Sequence, residues 1–270
     1  MASHDIVFLM YHELESPGRG LCQSEPGYVR YVLPQKQFRA QIAWLRENGW
    51  SGFNVSEALS FTTTQAVAIT FDDGCETDFI TATPILKEAG FNATFYITAG
   101  RIGLKGYMSP VQLRELSSLA LEIGCHSMSH VYLNDLKPSD LRREIVDAGK
   151  TLEDLIGKKV EHFSCPGGRY DSRTIAVVQE AGYRTMATSR SYANSPSTNP
   201  FLLGRVAILR SFNDAAFEGI CTGRALLKMR LLESVRSGAR NLFGNVAYDR
   251  LRALMLREPS GEQKPGKSGN

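Results

Sequence analysis

Ala66-Val67-Ala68-Ile69-Thr70-Phe71-Asp72-Asp73-Gly74 is the stretch on which the fold turns. The residues from Ala66 to Phe71 read as a β-strand, and the chain then runs straight into two adjacent carboxylates and a glycine. A strand that ends in charged groups suits folds that gather their chemistry at the carboxyl edge of a sheet. Outward from this stretch the same order repeats. Ile6–Met10, Ala93–Ile97, Ala120–Cys125, Glu161–Cys165, Tyr183–Ala187 and Val206–Leu209 read as further strands. Helical patterns over Gln35–Asn48, Asp78–Ala89, Ser109–Leu116, Ser139–Ile156 and Ser172–Ala181 separate them. This alternation predicts an α/β fold with a mainly parallel sheet, either a wound domain or an incomplete barrel. The segment after the first strand, with Gly18, Gly20 and Gly27, is too long for an ordinary connection and reads as a substrate-facing loop.

With 270 residues, 43% of them hydrophobic and 22% charged, the chain can bury a core without a disulfide or metal staple. Its formal charge of +3 is too small to imply a nucleic-acid partner, and it hides an asymmetry. Residues 224–270 hold ten Lys/Arg against four Asp/Glu, so the body is mildly acidic and the tail basic. Five cysteines without paired metal spacing suit free thiols in a reducing compartment. The opening Met-Ala-Ser-His-Asp lacks a basic leader region, and a cytoplasmic location is the expectation.

Three motifs carry the chemistry. At Asp72-Asp73, carboxylates pointing in different directions allow one to hold a metal while the other stays close by, although Asp-Gly is also a common turn pair. His126-Ser127-Met128-Ser129-His130 follows a strand, so its imidazoles either converge on one point or stand as unrelated surface groups. Asp73 with His126 and His130 would make a two-His, one-carboxylate set with open positions for water and substrate. Phe163-Ser164-Cys165-Pro166-Gly167-Gly168 is a strand and turn whose backbone N–H groups can approach a ligand, or simply a loop leading to a helix capped by Asp171 or Ser172.

Together these motifs resemble those of the polysaccharide deacetylase family, the NodB-homology carbohydrate esterases, over the span from Phe8 to Leu209. Met10-Tyr11-His12, Pro84-Ile85-Leu86, Ala93-Thr94-Phe95-Tyr96 and Glu180-Ala181-Gly182-Tyr183 fit as well, the first matching a branch that opens with a Tyr-His pair. The resemblance implies a distorted (β/α) barrel and metal-dependent hydrolysis of an acetyl group on a sugar. It assigns the catalytic base to Asp72 and the ligands of one divalent ion, expected to be Zn²⁺, to Asp73, His126 and His130. The implied substrate is an amino-sugar glycan or its lipid- or nucleotide-linked precursor, with an O-acetyl ester or a formamide as alternative bonds. The Gly167 N–H is the expected oxyanion donor.

The chain also departs from the family pattern. Ser164 stands where an Arg commonly orients the base, Gly167 stands where a Tyr is common, and no late Leu-x-x-His supplies an acid. His12 is either the first candidate for a missing role or a hydrogen-bonded structural histidine at a strand end, and Arg205 is the next candidate. A non-catalytic sugar-binding relic is the other function class, though such a module needs neither a base nor water activation. Cys75 and Cys165 lie beside the motifs, but no residue is spaced to activate them as nucleophiles.

Residues 1–222 are expected to form the catalytic domain, 223–257 a basic helical appendage and 258–270 a disordered tail. In the appendage Leu227, Leu231 and Val235 recur at helical spacing, as do Leu251, Leu254 and Met255, amid several arginines. Such a stripe either packs on the barrel or docks on an anionic membrane surface.

Overall fold

A computed structural model describes residues 5–60, 65–119 and 121–243, with side chains described as far as residue 234. Among the described residues there are ten short strands: β1 (Val7–Tyr11), β2 (Leu14–Glu15), β3 (Leu33–Pro34), β4 (Ser51–Phe53), β5 (Ala66–Phe71), β6 (Thr94–Ile97), β7 (Glu122–Cys125), β8 (His162–Ser164), β9 (Thr185–Ala187) and β10 (Val206–Ala207). Eight of them form one sheet in the order β10-β1-β5-β6-β7-β8-β9, with β4 also on β5. Every pairing in it is parallel. β4 occupies the flank of β5 at Ala66–Ala68 and β6 takes over at Thr70–Phe71, which staggers the sheet around the central strand. A bridge between Ala187 and Leu203 links the far edge back toward β10. The result is an α/β fold whose parallel sheet curls into a distorted half-barrel.

Both faces of β1 and β5 are covered, so their side chains are buried without the alternation of a half-exposed strand. Phe71 stacks between Tyr11 and Phe95, with ring centroids 5.3 and 5.1 Å away. Each such fully buried aromatic or aliphatic side chain contributes about 1.5–3 kcal/mol. The covering helices follow the expected stripes: Phe38, Ile42 and Leu45 of Gln35–Glu47 are buried. The helix Pro110–Ser118 starts in a capping box, with Ser109 accepting from the Gln112 N–H.

Two of the expected helices are not continuous. Asp78–Ala89 begins with a π-helical turn, Asp78–Ala82, and 139–156 is interrupted by another, Arg143–Asp147. The loop after β1 is also more structured than a plain insertion, since it contains the parallel pair β2 and β3 and a helical turn at Pro26–Val29.

At the C-terminal end, the helix Asp214–Cys221 buries Phe217, Ile220 and Cys221. Leu226–Phe243 then forms a single helix. Leu226 joins the main core and Met229 packs against it, while Leu227 and Leu231 point outward, 70% and 61% exposed. Residues 244–257 of the expected appendage, the tail beyond them and the Val235 side chain lie outside the described residues. Among the described residues no helix is long and apolar enough to cross a membrane.

Candidate active site

The carboxyl ends of β1, β5, β7 and β8 bring His12, Asp72, Asp73, His126, His130 and Ser164 together. The ladder continues one residue past β5, where the Asp72 N–H donates to the Tyr11 carbonyl at 3.0 Å. Beyond it the chain turns sharply: Asp73 has φ 82° and Gly74 has φ 81°. For a residue with a Cβ this left-handed conformation costs about 1–2 kcal/mol. Ser127 and His130 share it, at φ 64° and 61°. All three non-glycine residues with positive φ among those described therefore belong to the two chemistry-bearing turns, as expected where backbone strain aims functional side chains.

The three expected ligands converge. His130 Nε2 lies 3.2 Å from Asp73 Oδ1, and His126 Nε2 lies 4.0 Å from the same oxygen. Donors bound tetrahedrally at about 2.0–2.2 Å stand about 3.3 Å apart, so little movement separates this arrangement from a ligated one. His126 Nδ1 is 2.8 Å from the Ser164 carbonyl, which can only accept. The proton therefore sits on Nδ1, and Nε2 presents its lone pair. Burial pushes His126 down to about 4 against the opposing charge of Asp72, so the ring is neutral near pH 7. One carboxylate and two imidazoles with an open side fit a divalent ion of the Zn²⁺ type.

Two residues outside the motifs complete this half of the site. Arg101 Nη1 donates to Asp73 Oδ1 at 3.2 Å. Glu144 is 1% exposed and sits in the second π-helical turn. Its carboxylate accepts from the N–H groups of Met128 and Ser129 at 3.0 and 2.8 Å and from the Ser129 hydroxyl at 2.6 Å, clasping the loop between the two histidines.

Arg205, from the segment entering β10, fills the place vacated at Ser164. It is fully buried. It grips Asp72 with both arms, Nη1 to Oδ1 at 2.6 Å and Nη2 to Oδ2 at 2.8 Å. Nη2 also donates to Ser164 Oγ at 2.7 Å, and Nε donates to the Thr188 carbonyl at 3.0 Å. Burial alone would raise the Asp72 carboxyl, but the Arg205 charge, with help from His126, holds it below the usual carboxylate range.

No direct hydrogen bond joins His12 to Asp72 in this arrangement. His12 packs on Tyr31 with ring centroids 4.8 Å apart, and its buried Nδ1 has no hydrogen-bond partner. Burial lowers its pKa, opposed by the charges of Asp72 and Asp73. Gly167 has φ 61°, and a Cβ there would come 2.7 Å from the Tyr132 ring. Tyr132 thus occupies the space a larger residue would need, and the Arg169 guanidinium lies over its ring at 3.7 Å.

A family model described as polysaccharide deacetylase matches residues 61–186, the span that holds β5, β7, β8 and both metal-site turns. The protein YxkH of Bacillus subtilis, a polysaccharide deacetylase homologue, is 29% identical over 218 residues, covering 78% of this chain and 74% of its own. A poly-beta-1,6-N-acetyl-D-glucosamine N-deacetylase of Staphylococcus aureus is 26% identical over 207 residues, 70% of each chain. Among solved structures, the Streptococcus pyogenes deacetylase PplD in complex with acetate superposes with a TM-score of 0.70 at 20% identity, over 80% of this chain and 98% of that one. Over residues 61–186 the chain matches the polysaccharide deacetylase family, and its half-barrel sheet shares the fold of the solved deacetylase.

Proposed function

We propose that this protein removes N-acetyl groups from an amino-sugar glycan or from its lipid- or nucleotide-linked precursor. The observation that carries this reading is the bidentate Arg205–Asp72 pair, set 3.7 Å from His126 Nε2. A binding module has no use for a buried carboxylate held ionised beside a candidate metal site, whereas a hydrolase needs it as a general base. The absent third-motif arginine and late histidine make a relic conceivable, and Arg205 answers the first of these two losses.

An amide carbonyl is a weak electrophile. A divalent ion bound by Asp73, His126 and His130 would polarise it and acidify water. Asp72, kept deprotonated by Arg205, accepts the proton of the attacking water. The Gly167 N–H is the candidate donor to the developing oxyanion, and one such donor is typically worth about 2.7–4 kcal/mol. His12, with a free ring nitrogen, is the candidate to pass a proton to the departing amine. The named activity of the S. aureus relative makes a β-1,6-linked N-acetylglucosamine oligomer the first substrate to try.

The test is acetate release by metal-loaded protein from N-acetyl oligomers, lipid-linked N-acetyl sugars and O-acetyl glycans. Release from the N-acetyl compounds is expected. Release from the O-acetyl set alone would overturn the amide reading. Asp72→Asn should retain its metal and lose about 10²–10⁴-fold in kcat. His12→Gln should also lower kcat with the metal content unchanged.

A further inference from the structure

Behind the catalytic turn lies a second cluster of ligating groups. Glu13 follows His12, and Cys75 follows Asp73-Gly74, so the turns that present His12 and Asp73 to the active site present the next groups to a separate point. Cys22, from the loop after β2, completes it. The donor atoms of Glu13, Cys22 and Cys75 all lie within 4.8 Å of one another. Glu13 is 2% exposed, Cys75 is fully buried and Cys22 is half-buried.

The sulfur atoms are 3.5 Å apart. A disulfide would require about 2.05 Å. Two thiolates on a tetrahedral ion, each at about 2.3 Å, stand about 3.8 Å apart, much nearer to the spacing observed. The surroundings suit a bound cation as well. Tyr28 donates to Glu13 Oε2 at 2.9 Å, fixing one carboxylate oxygen, and its hydroxyl lies 3.4 Å from Cys75 Sγ. Asp78 is fully buried in the first π-helical turn, and both its carboxyl oxygens lack a hydrogen-bond partner. Burial raises its pKa, and the thiol of Cys22 and the carboxylates of Asp73 and Glu13 add to the effect. Arg101 pairs with Asp73, but among the described residues no ion pair brings positive charge to Glu13 or Asp78, so this side of the cluster lacks the counter-charge that a cation would bring.

We propose that Cys22, Cys75 and Glu13 bind a second divalent cation of the thiophilic class to which Zn²⁺, Cd²⁺ and Co²⁺ belong, with water as the remaining ligand. On binding, each thiol releases its proton to solvent and the sulfur donates to the ion. The ion pins the loop after β2 to the turn that carries Asp73.

Cobalt distinguishes this site from the catalytic one, because Asp73, His126 and His130 include no sulfur. Full-length protein, stripped with chelator and kept reduced with a phosphine, is titrated with Co²⁺. The expected result is a near-ultraviolet thiolate-to-cobalt charge-transfer band and two ions per chain. Cys22→Ser, at a half-buried loop position that spares the core, should lose the band and one ion while keeping the visible absorption of the catalytic site. Absence of the band in the wild type, or its survival in Cys22→Ser, overturns the proposal. So does a chain that binds one ion and instead loses two hydrogens of mass as a Cys22–Cys75 disulfide when the reductant is removed. None of these readings depends on acetate release.

Discussion

Arg205 and Asp72 are 133 positions apart in the chain and within 2.6 Å in space. Their pairing in a fully buried setting has two measurable consequences. Removing one partner of a buried ion pair typically costs about 3–5 kcal/mol, so Arg205→Ala should unfold at markedly lower urea concentration. Arg205→Lys keeps the charge but not the fork, and its Asp72 carboxyl should rise, moving the acid limb of kcat/KM to higher pH. The sign for stability follows from the depressed carboxyl. Its contribution is present above the unfolded value of about 3.9 and is lost as pH falls through the lower folded value. Urea midpoints measured from pH 7 down to acid check this, and an unchanged pH–rate profile in Arg205→Lys would separate Arg205 from the base. The residues legible in the sequence, Asp72, Asp73, His126 and His130, are those held together by chain proximity at a strand end. Arg205 was only a reserve candidate, because nothing local in Arg205-Val206-Ala207 shows that β10 lies beside β1, which in turn lies beside β5.

Among the elements, the strands and helices with strong periodicity were readable, but the two π-helical turns were not. An inserted residue in a helix leaves the hydrophobic stripe almost intact, and its benefit lies in tertiary contacts, here the aim of Glu144 at the His126–His130 loop. Ser51–Phe53 escaped notice for a different reason. It has three residues, and Gly52 at its centre offers no side chain because a Cβ would come 2.6 Å from the Phe91 ring. Glu144 makes the π turn testable. Glu144→Ala removes the acceptor of the Ser129 N–H and hydroxyl, leaves the Met128 N–H only the backbone carbonyl of residue 144 at 3.1 Å, and loosens a loop that holds two residues at positive φ. Loss of such a supporting contact typically costs about 10–100-fold in metal affinity. Calorimetric Zn²⁺ titration of the variant should show that fall at the catalytic site, and wild-type affinity would reduce Glu144 to a packing role.

At the scale of the whole molecule, the C-terminal helix starts on the core through Leu226 and presents Leu227, Leu231 and Leu232 outward, next to the exposed Arg224, Lys228 and Arg230. We propose that this face meets an anionic membrane, where each basic residue near the surface is worth about 1 kcal/mol. Full-length protein should float with anionic vesicles at low salt and sink at high salt. Truncation after Thr222 should abolish flotation, and a full-length chain that never floats would end this idea. The left-handed backbone at Asp73, Ser127 and His130 has a wider consequence. Glycine at any of these positions would relieve about 1–2 kcal/mol of strain. Directed evolution for heat resistance alone would therefore drift toward glycine at these sites and silence the enzyme as it hardened. Thermostability and turnover are opposed here at the codons of two proposed ligands, Asp73 and His130, and a library meant to keep both should hold those two fixed.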